Sequence, residues 1–163
     1  ATMYPDFTLS VQYAVQAPAL PRWRLRRWVG RALAFALAPP EPRAGSPVAL
    51  TLRIVDAQEG RELNAAWRGR DTATNVLTFE YGADPSGLIS GDIVLCLPVL
   101  EREAAEQGKP LLNHAAHLVT HGVLHALGHD HIDTGEAERM EALETRILAA
   151  QRIPDPYTEN ERS

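Results

Sequence analysis

The feature that most constrains the fold is an uninterrupted apolar run, Ile-Val-Leu-Cys-Leu, at residues 93–97. A strand with one face in solvent alternates apolar and polar residues, whereas a run without alternation is typical of a strand covered on both faces. The run therefore predicts a central strand, within a longer strand segment at residues 89–97. Such a strand requires a sheet with helices packed on it.

The rest of the chain supplies the other elements. Further strands are predicted at residues 9–15, 48–54 and 74–79, and a Gly-bearing connection at 82–87 predicts a hairpin. Helices are predicted at residues 21–38, from Asp56 towards Trp67, at 98–107, at 111–127, and after Asp133. We therefore predict an α/β (α+β) fold: a single domain over residues 1–163, with a small mixed sheet of about four strands packed with about five helices.

The predicted helix at residues 21–38 combines apolar and basic residues. Its apolar residues recur near helical spacing: Trp23, Trp28, Leu33 and Leu37. Five arginines crowd the same segment: Arg22, Arg24, Arg26, Arg27 and Arg31. An arginine-rich helix face is most often only solvated, and a phosphate-rich partner is the alternative that stays open.

Composition limits the partners and the compartment. The net charge of −5 gives the whole chain no general attraction for nucleic acid, and no DNA partner is expected. No apolar run approaches the roughly 20 residues of a membrane span, so no membrane partner is expected.

Cys96, the single cysteine, cannot form an internal disulfide and is expected to be a small buried apolar residue. Because the first residues also lack a signal-peptide pattern, we expect a cytoplasmic protein.

All six histidines lie within one short window, which is typical of a metal site: His114, His117, His121, His125, His129 and His131. Residues 117, 121 and 125 are spaced by four, so they share one helix face at intervals of about 6 Å along the axis. The nitrogens that bind one zinc lie only about 3–4 Å apart. Two neighbours can therefore share an ion, whereas the outer two cannot, and a third ligand must come from outside the helix.

Gly128 is predicted to end this metal-binding helix, because glycine readily takes the left-handed conformation found there. The chain can then fold back and return a histidine to the metal. The pair nearest to the break is His121 with His125, and spacing alone does not separate His129 from His131 as the third ligand. Three histidines with an open fourth position are the pattern of a catalytic zinc, which indicates a hydrolytic metalloenzyme.

The run HGVLHALGHDH, residues 121–131, resembles the H-G-x-L-H-x-x-G-x-D-H signature of the YbeY family of bacterial zinc-dependent endoribonucleases. Other parts of residues 48–150 resemble family landmarks in the same order: Leu63-Asn64, Arg68-Gly69, residues 74–79, residues 91–93, and Met140 with Leu143-Glu144. The resemblance implies one Zn2+ per chain, with His121, His125 and His131 as its ligands.

The resemblance also implies a function: single-strand-specific endoribonuclease activity in ribosomal RNA maturation, at the 3′ end of the small-subunit RNA, and in ribosome quality control. Single-stranded ribosomal RNA and ribosome or small-subunit components are the partners it implies. The functional arginine of the family falls on Arg68, which we expect to be catalytic, because a guanidinium fork can hold two phosphate oxygens. A surface ion pair is the structural alternative for Arg68.

Other readings stay open. A ribosome-assembly or RNA-binding factor with structural zinc is the main alternative, and a fourth protein ligand on the metal would favour it. A metalloprotease-like hydrolase is less favoured, because Gly122 stands where HExxH proteases carry their glutamate base. Asp130 could orient a ligand or cap the turn after the helix. His114 and His117 could line the approach to the metal, and we prefer the reading in which they face solvent.

Overall fold

A computed structural model of the protein describes residues 6–129 and 133–157. Within these ranges the chain forms four strands and five helices, which confirms the predicted α/β class. Their order is β1 (Phe7–Tyr13), α1 (Arg22–Ala36), β2 (Val48–Val55), α2 (Ala57–Arg68), β3 (Val76–Ala83), β4 (Ile89–Cys96), α3 (Leu97–Gln107), α4 (Leu111–Ala126) and α5 (Thr134–Ala150). No helix of the described ranges is both long enough and apolar enough to cross a membrane.

The strands form one mixed sheet in the order β1-β2-β4-β3. β1, β2 and β4 run parallel, and β3 pairs antiparallel with β4 along one edge. Parallel neighbours need a crossover connection, which α1 supplies between β1 and β2. The connection between β3 and β4 is shorter than predicted, because β3 continues through Ala83 after an irregularity between Glu80 and Gly82.

β4 is the covered central strand that its apolar run predicts. Ile93 and Leu95 lie in the main core with residues of α1, α4 and α5. Val94 and Cys96 lie in a second, smaller cluster that includes Val99 of α3. The side chains on both faces of β4 are therefore buried, which explains why residues 93–96 are all apolar. The expectation of a buried Cys96 is confirmed.

Two glycines bring α4 directly onto the sheet. A Cβ atom at Gly122 would lie 2.8 Å from Cγ2 of Ile93, and one at Gly91 would lie 2.9 Å from Cβ of Ala126. Real Cβ atoms essentially never approach other atoms so closely, so these glycines permit the contact between α4 and β4. That contact fixes the distance of α4 from the sheet and its rotation about its own axis, and both determine where its histidines lie.

The predicted helix ends are largely confirmed. Asp56 and Asp133 cap α2 and α5, accepting hydrogen bonds from the backbone N–H groups of Glu59 and Glu136. Gly128 follows α4 with a φ of 96°, the left-handed conformation expected at the break.

The four apolar residues that recur along the first helix do not all share its buried face. Trp28, Leu33 and Leu37 are buried, but 59% of Trp23 is exposed. Trp23 precedes Trp28 by five residues, which places it about 140° around the helix from the buried face.

Candidate metal centre

His121 and His125 form the closest histidine pair on α4. Their ring centroids lie 4.6 Å apart, whereas those of His117 and His121 lie 6.3 Å apart. Both rings of the closer pair are partly exposed, at the end of the helix that precedes Gly128. The spacing of the closer pair is compatible with two imidazoles that share one ion.

A buried carboxylate from α5 lies behind this pair. Glu144 is 0% exposed, and its Oε1 atom is 2.6 Å from Nδ1 of His121. Its Oε2 atom is 3.2 Å from Nε2 of His117, and it also accepts a hydrogen bond from the Tyr157 hydroxyl. A glutamate is almost never fully buried unless it is paired, and three partners satisfy this one.

These contacts keep Glu144 ionised. Burial by itself would raise the pKa of Glu144, but the hydrogen bonds with His117 and His121 outweigh it, and the pKa is lowered to about 2. Burial and the neighbouring Glu144 carboxylate raise the pKa of Tyr157 above its ordinary value, so its hydroxyl remains a donor. An ionised carboxylate only accepts hydrogen bonds, so Nδ1 of His121 carries the proton that lies between them.

This arrangement selects the nitrogen that His121 would offer to a metal. With Nδ1–H directed to Glu144, Nε2 is the ring's ligand atom. Carboxylate–histidine pairs of this kind orient metal ligands and raise their basicity in many zinc proteins. The nitrogen donors and the buried carboxylate behind them therefore fit Zn2+.

A second grouping of ligand atoms lies on the inner side of the same cluster. His117, His121 and Glu144 offer atoms that all lie within 4.8 Å of one another, so these three residues form a possible metal site. The 2.6 Å between Nδ1 of His121 and Oε1 of Glu144 is a hydrogen-bond distance. It is shorter than the roughly 3–4 Å between two atoms that bind one zinc.

The remaining residues of the signature are only partly described by the structure. His129 comes directly after Gly128, with its backbone N–H bonded to the Leu124 carbonyl oxygen at 3.0 Å. His131, the predicted third ligand, and Asp130 lie outside the described residues. The assignment of His131 is therefore carried by the resemblance to the family signature.

The preference for solvent-facing His114 and His117 is wrong. His114 is only 4% exposed, and its Nε2 atom lies 2.9 Å from Oε1 of Glu103 on α3. The His117 side chain is 12% exposed and is enclosed by Glu144 and Tyr157. The reason is that α3 and α5 pack against α4 and cover the first part of its histidine face.

Glu144 belongs to the candidate site, although the sequence analysis gave it no role beyond that of a family landmark. A usable signal was present, because Met140, Leu143 and Ile147 give α5 a buried face on which Glu144 also lies. A carboxylate on a buried face requires a hydrogen-bond partner. The histidines of the preceding helix, α4, are suitable donors for it.

Arg68 is the last residue of α2 and lies at the exposed edge of the sheet. Its Nη2 atom donates a hydrogen bond of 2.8 Å to the Thr78 carbonyl oxygen in β3, the edge strand against which α4 also packs. Among the described residues, Arg68 forms no ion pair with a carboxylate. Arg61, by contrast, is held by Asp71 at 2.6 Å, which is the surface pairing considered as the alternative for Arg68.

Comparison with known proteins identifies the family. The family model described as Endoribonuclease YbeY matches residues 12–152. The chain belongs to this family. A protein named Endoribonuclease YbeY from Bordetella avium is 62% identical over 155 residues, which cover 94% of each chain. One with the same name from Thiobacillus denitrificans is 49% identical over 156 residues, covering 95% of this chain and 99% of its own.

A structural comparison supports the fold. A solution structure from Thermotoga maritima has a TM-score of 0.58 and 22% sequence identity, covering 89% of this chain and 92% of the other. Within the YbeY signature, the two glycines now have distinct physical roles. Gly122 permits the contact of α4 with β4, and Gly128 ends the helix directly after the histidine pair.

Proposed function

We propose that this member of the YbeY family is a zinc-dependent endoribonuclease that cleaves single-stranded RNA. The proposed role is ribosomal RNA maturation, at the 3′ end of the small-subunit RNA, together with ribosome quality control in the cytoplasm. The proposed partners are ribosomal RNA and ribosome or small-subunit components, and residues 1–163 are taken as one hydrolase domain. The His121–His125 pair, backed by the buried Glu144 carboxylate, is the observation that carries this proposal.

The proposed ligands of the zinc are His121, His125 and His131. The first two project from consecutive turns of α4, and the family signature supplies the third after the Gly128 break. Zn2+ held by three protein ligands supplies a Lewis acid that lowers the pKa of water towards 7 and so favours hydrolysis near neutral pH. Glu144 holds the His121 ring in position for this role.

Arg68 is proposed to bind the phosphate at the cleaved bond. Its hydrogen bond with Thr78 uses one of five N–H groups, so the guanidinium can be anchored to β3 and still contact phosphate oxygens. Cleavage of a phosphodiester increases negative charge on those oxygens, which a fixed guanidinium stabilises.

Peptide hydrolysis is disfavoured by the position of residue 122. The HExxH proteases use a glutamate there as general base. Gly122 faces Ile93 of β4, and the space beside it is too small for a side chain. We therefore expect no zinc-dependent turnover of a generic protein substrate, and turnover that His125→Ala abolishes would contradict this.

One observation favours a second function, an RNA-binding assembly factor with structural zinc. His117, His121 and Glu144 offer ligand atoms within 4.8 Å of one another, and a fourth protein ligand added to this group would close the metal site. The hydrogen-bond spacing of His121 and Glu144 argues for a supporting carboxylate instead. RNA cleavage distinguishes the two functions, because only the open site permits it.

The test of the proposed function is cleavage of single-stranded RNA by protein of measured zinc content. Arg68→Ala is expected to lower the cleavage rate about 10²-fold, or about 3 kcal/mol, at unchanged zinc content and melting temperature. Arg68→Lys should restore little, because an ammonium group cannot make the two-pronged contact.

Arg61→Ala is the matched control, since Arg61 is an exposed arginine of the same helix that pairs with Asp71. It should leave cleavage unchanged. If zinc-loaded wild-type protein cleaves no RNA, the nuclease proposal fails and the assembly factor is favoured. If Arg68→Ala cleaves as fast as wild type at full zinc occupancy, the role of Arg68 is excluded.

A further inference from the structure

The outer surface of α1 is strongly basic in a chain of net charge −5. The helix carries five arginines and no acidic residue. We call these five residues and Trp23 the arginine face: Arg22, Trp23, Arg24, Arg26, Arg27 and Arg31. All are exposed except Arg24, which is partly buried. This concentration of positive charge opposes the net charge of the rest of the molecule.

The charges of the arginine face are not neutralised by neighbouring acids. None of the five arginines forms an ion pair with a carboxylate in the described part of the chain, whereas Arg53 and Arg61 are both paired with acids. Three of the five lie instead over aromatic rings, namely Arg22, Arg24 and Arg26. Arg22 lies 5.0 Å from the Tyr13 ring centroid, and Arg26 lies 4.6 Å from that of Phe7. Aromatic contacts restrain the guanidinium groups and leave their full charge for a partner.

Trp23 adds an exposed aromatic surface to this charge. It is 59% exposed although the adjoining helix face is buried, and Arg24 lies 4.8 Å from its ring centroid. Proteins that bind single-stranded nucleic acid combine a positively charged surface for the backbone with aromatic side chains on which bases stack. A duplex keeps its bases stacked on each other, so an exposed tryptophan suits single-stranded RNA better.

The arginine face lies at the opposite edge of the sheet from Arg68. Arg26, Arg27 and Arg31 border a surface depression of about 500 Å³ beside β1, in which Asp6 is the one acid among the lining residues. β1 and β3 are the two edges of the four-stranded sheet, which places them about 14 Å apart at ordinary strand spacing. The arginine face is therefore a surface distinct from the edge strand that Arg68 contacts.

We propose that the arginine face is a second binding surface for single-stranded RNA, separate from the metal centre. Its arginines contact backbone phosphates, and Trp23 stacks against a base. The inference rests on the proposed function, because it takes RNA as the substrate, and it adds a surface that holds the strand away from the cleaved bond. A strongly acidic protein segment is the competing partner that the test must exclude.

The binding test uses Arg27→Ala/Arg31→Ala in a His125→Ala background that does not cleave. These two arginines are exposed, and alanine preserves the helix. Affinity for a fluorescent single-stranded oligonucleotide is measured by anisotropy over a range of salt concentrations. We expect binding to weaken at least tenfold at low salt, and the salt slope to fall by about 1.4, since each phosphate contact to a single strand contributes about 0.7.

The matched control, Arg61→Ala/Arg102→Ala, also removes two exposed arginines, but ones that are paired with Asp71 and Glu106. It should bind RNA as the parent does. Trp23→Ala should weaken binding and Trp23→Phe should largely restore it. Unchanged affinity and salt slope in Arg27→Ala/Arg31→Ala would overturn the inference. It would also be overturned if polyglutamate competed as well as RNA and Trp23→Ala had no effect.

Cleavage separates this inference from the proposed function. In protein that retains His125, Arg27→Ala/Arg31→Ala should raise KM for RNA at least tenfold with a much smaller change in kcat, at unchanged zinc content. Failure of the nuclease proposal would appear as a lack of cleavage by zinc-loaded wild type while RNA binding persists. Failure of the inference would appear as an unchanged KM in a protein that cleaves.

Discussion

The two halves of α4 carry the same residue type at similar spacing and differ in chemistry. In the first half, His114 is enclosed against α3 and bonded to Glu103. In the second half, His121 and His125 are partly exposed, and their rings lie 4.6 Å apart. His117 stands between them and is turned towards Glu144 and Tyr157. Neighbouring helices, rather than spacing, therefore decide which histidines are available to a metal.

The largest difference between the halves should appear in zinc content. His125→Ala is expected to lose most of the zinc and all measurable RNA cleavage, because it removes one of three proposed ligands. His129→Ala, a change of the same kind four residues on, should retain the metal. His117→Ala should also retain it, since Glu144 still holds His121. Metal analysis of identically purified variants measures this, and loss of zinc in His117→Ala with retention in His125→Ala would reverse the assignment.

The carboxylate that contacts the second half of α4 should matter more for zinc affinity than the one that contacts the first half. Glu144→Gln keeps the shape of the side chain but removes the negative charge that orients His121, so zinc affinity should fall about 10- to 100-fold. Glu103→Gln changes the equivalent partner of His114 and should leave zinc affinity unchanged. Competition with a zinc chelator measures both. Equal effects of the two substitutions would show that the carboxylates act only through stability.

Much of the second half of α4 was predictable from sequence, because its geometry is local. A spacing of four places His121 and His125 on adjacent turns, and a glycine at 128 ends the helix. The role of Glu144 was not predictable in the same way, because it depends on the packing of α5, 23 residues further along the chain, against α4. The enclosure of His114 has the same origin in α3.

Burial in the rest of the fold was predictable only in part. The apolar run at residues 93–97 identifies β4 as a covered strand, because burial on both faces leaves a direct mark on composition. Trp23 is also apolar, but it precedes Trp28 by five residues and so lies on the exposed side of α1. Residue type alone therefore does not predict burial on α1, because the helical angle decides which apolar residues reach the core.

Gly122, which permits the close contact of the second half of α4 with the sheet, should matter for the free energy of unfolding. Gly122→Ala forces a methyl group against Ile93 and is expected to lower the free energy of unfolding by about 1–3 kcal/mol, with some loss of zinc. Gly30→Ala is the matched control in α1, because its added methyl meets only an ordinary contact of 3.4 Å with Phe7. It should be neutral or slightly stabilising. Denaturant unfolding separates the two, and equal stabilities would contradict the close approach.

The central claim is that the metal lies at the second half of α4 and not between His117 and Glu144. A crystal structure of the zinc-loaded protein, with an anomalous difference map at the zinc absorption edge, tests it most directly. We predict one peak about 2.0–2.1 Å from Nε2 of His121, from His125 and from His131, with Glu144 hydrogen-bonded to Nδ1 of His121. A peak bound by Nδ1 of His121, His117 and Glu144 would contradict the account.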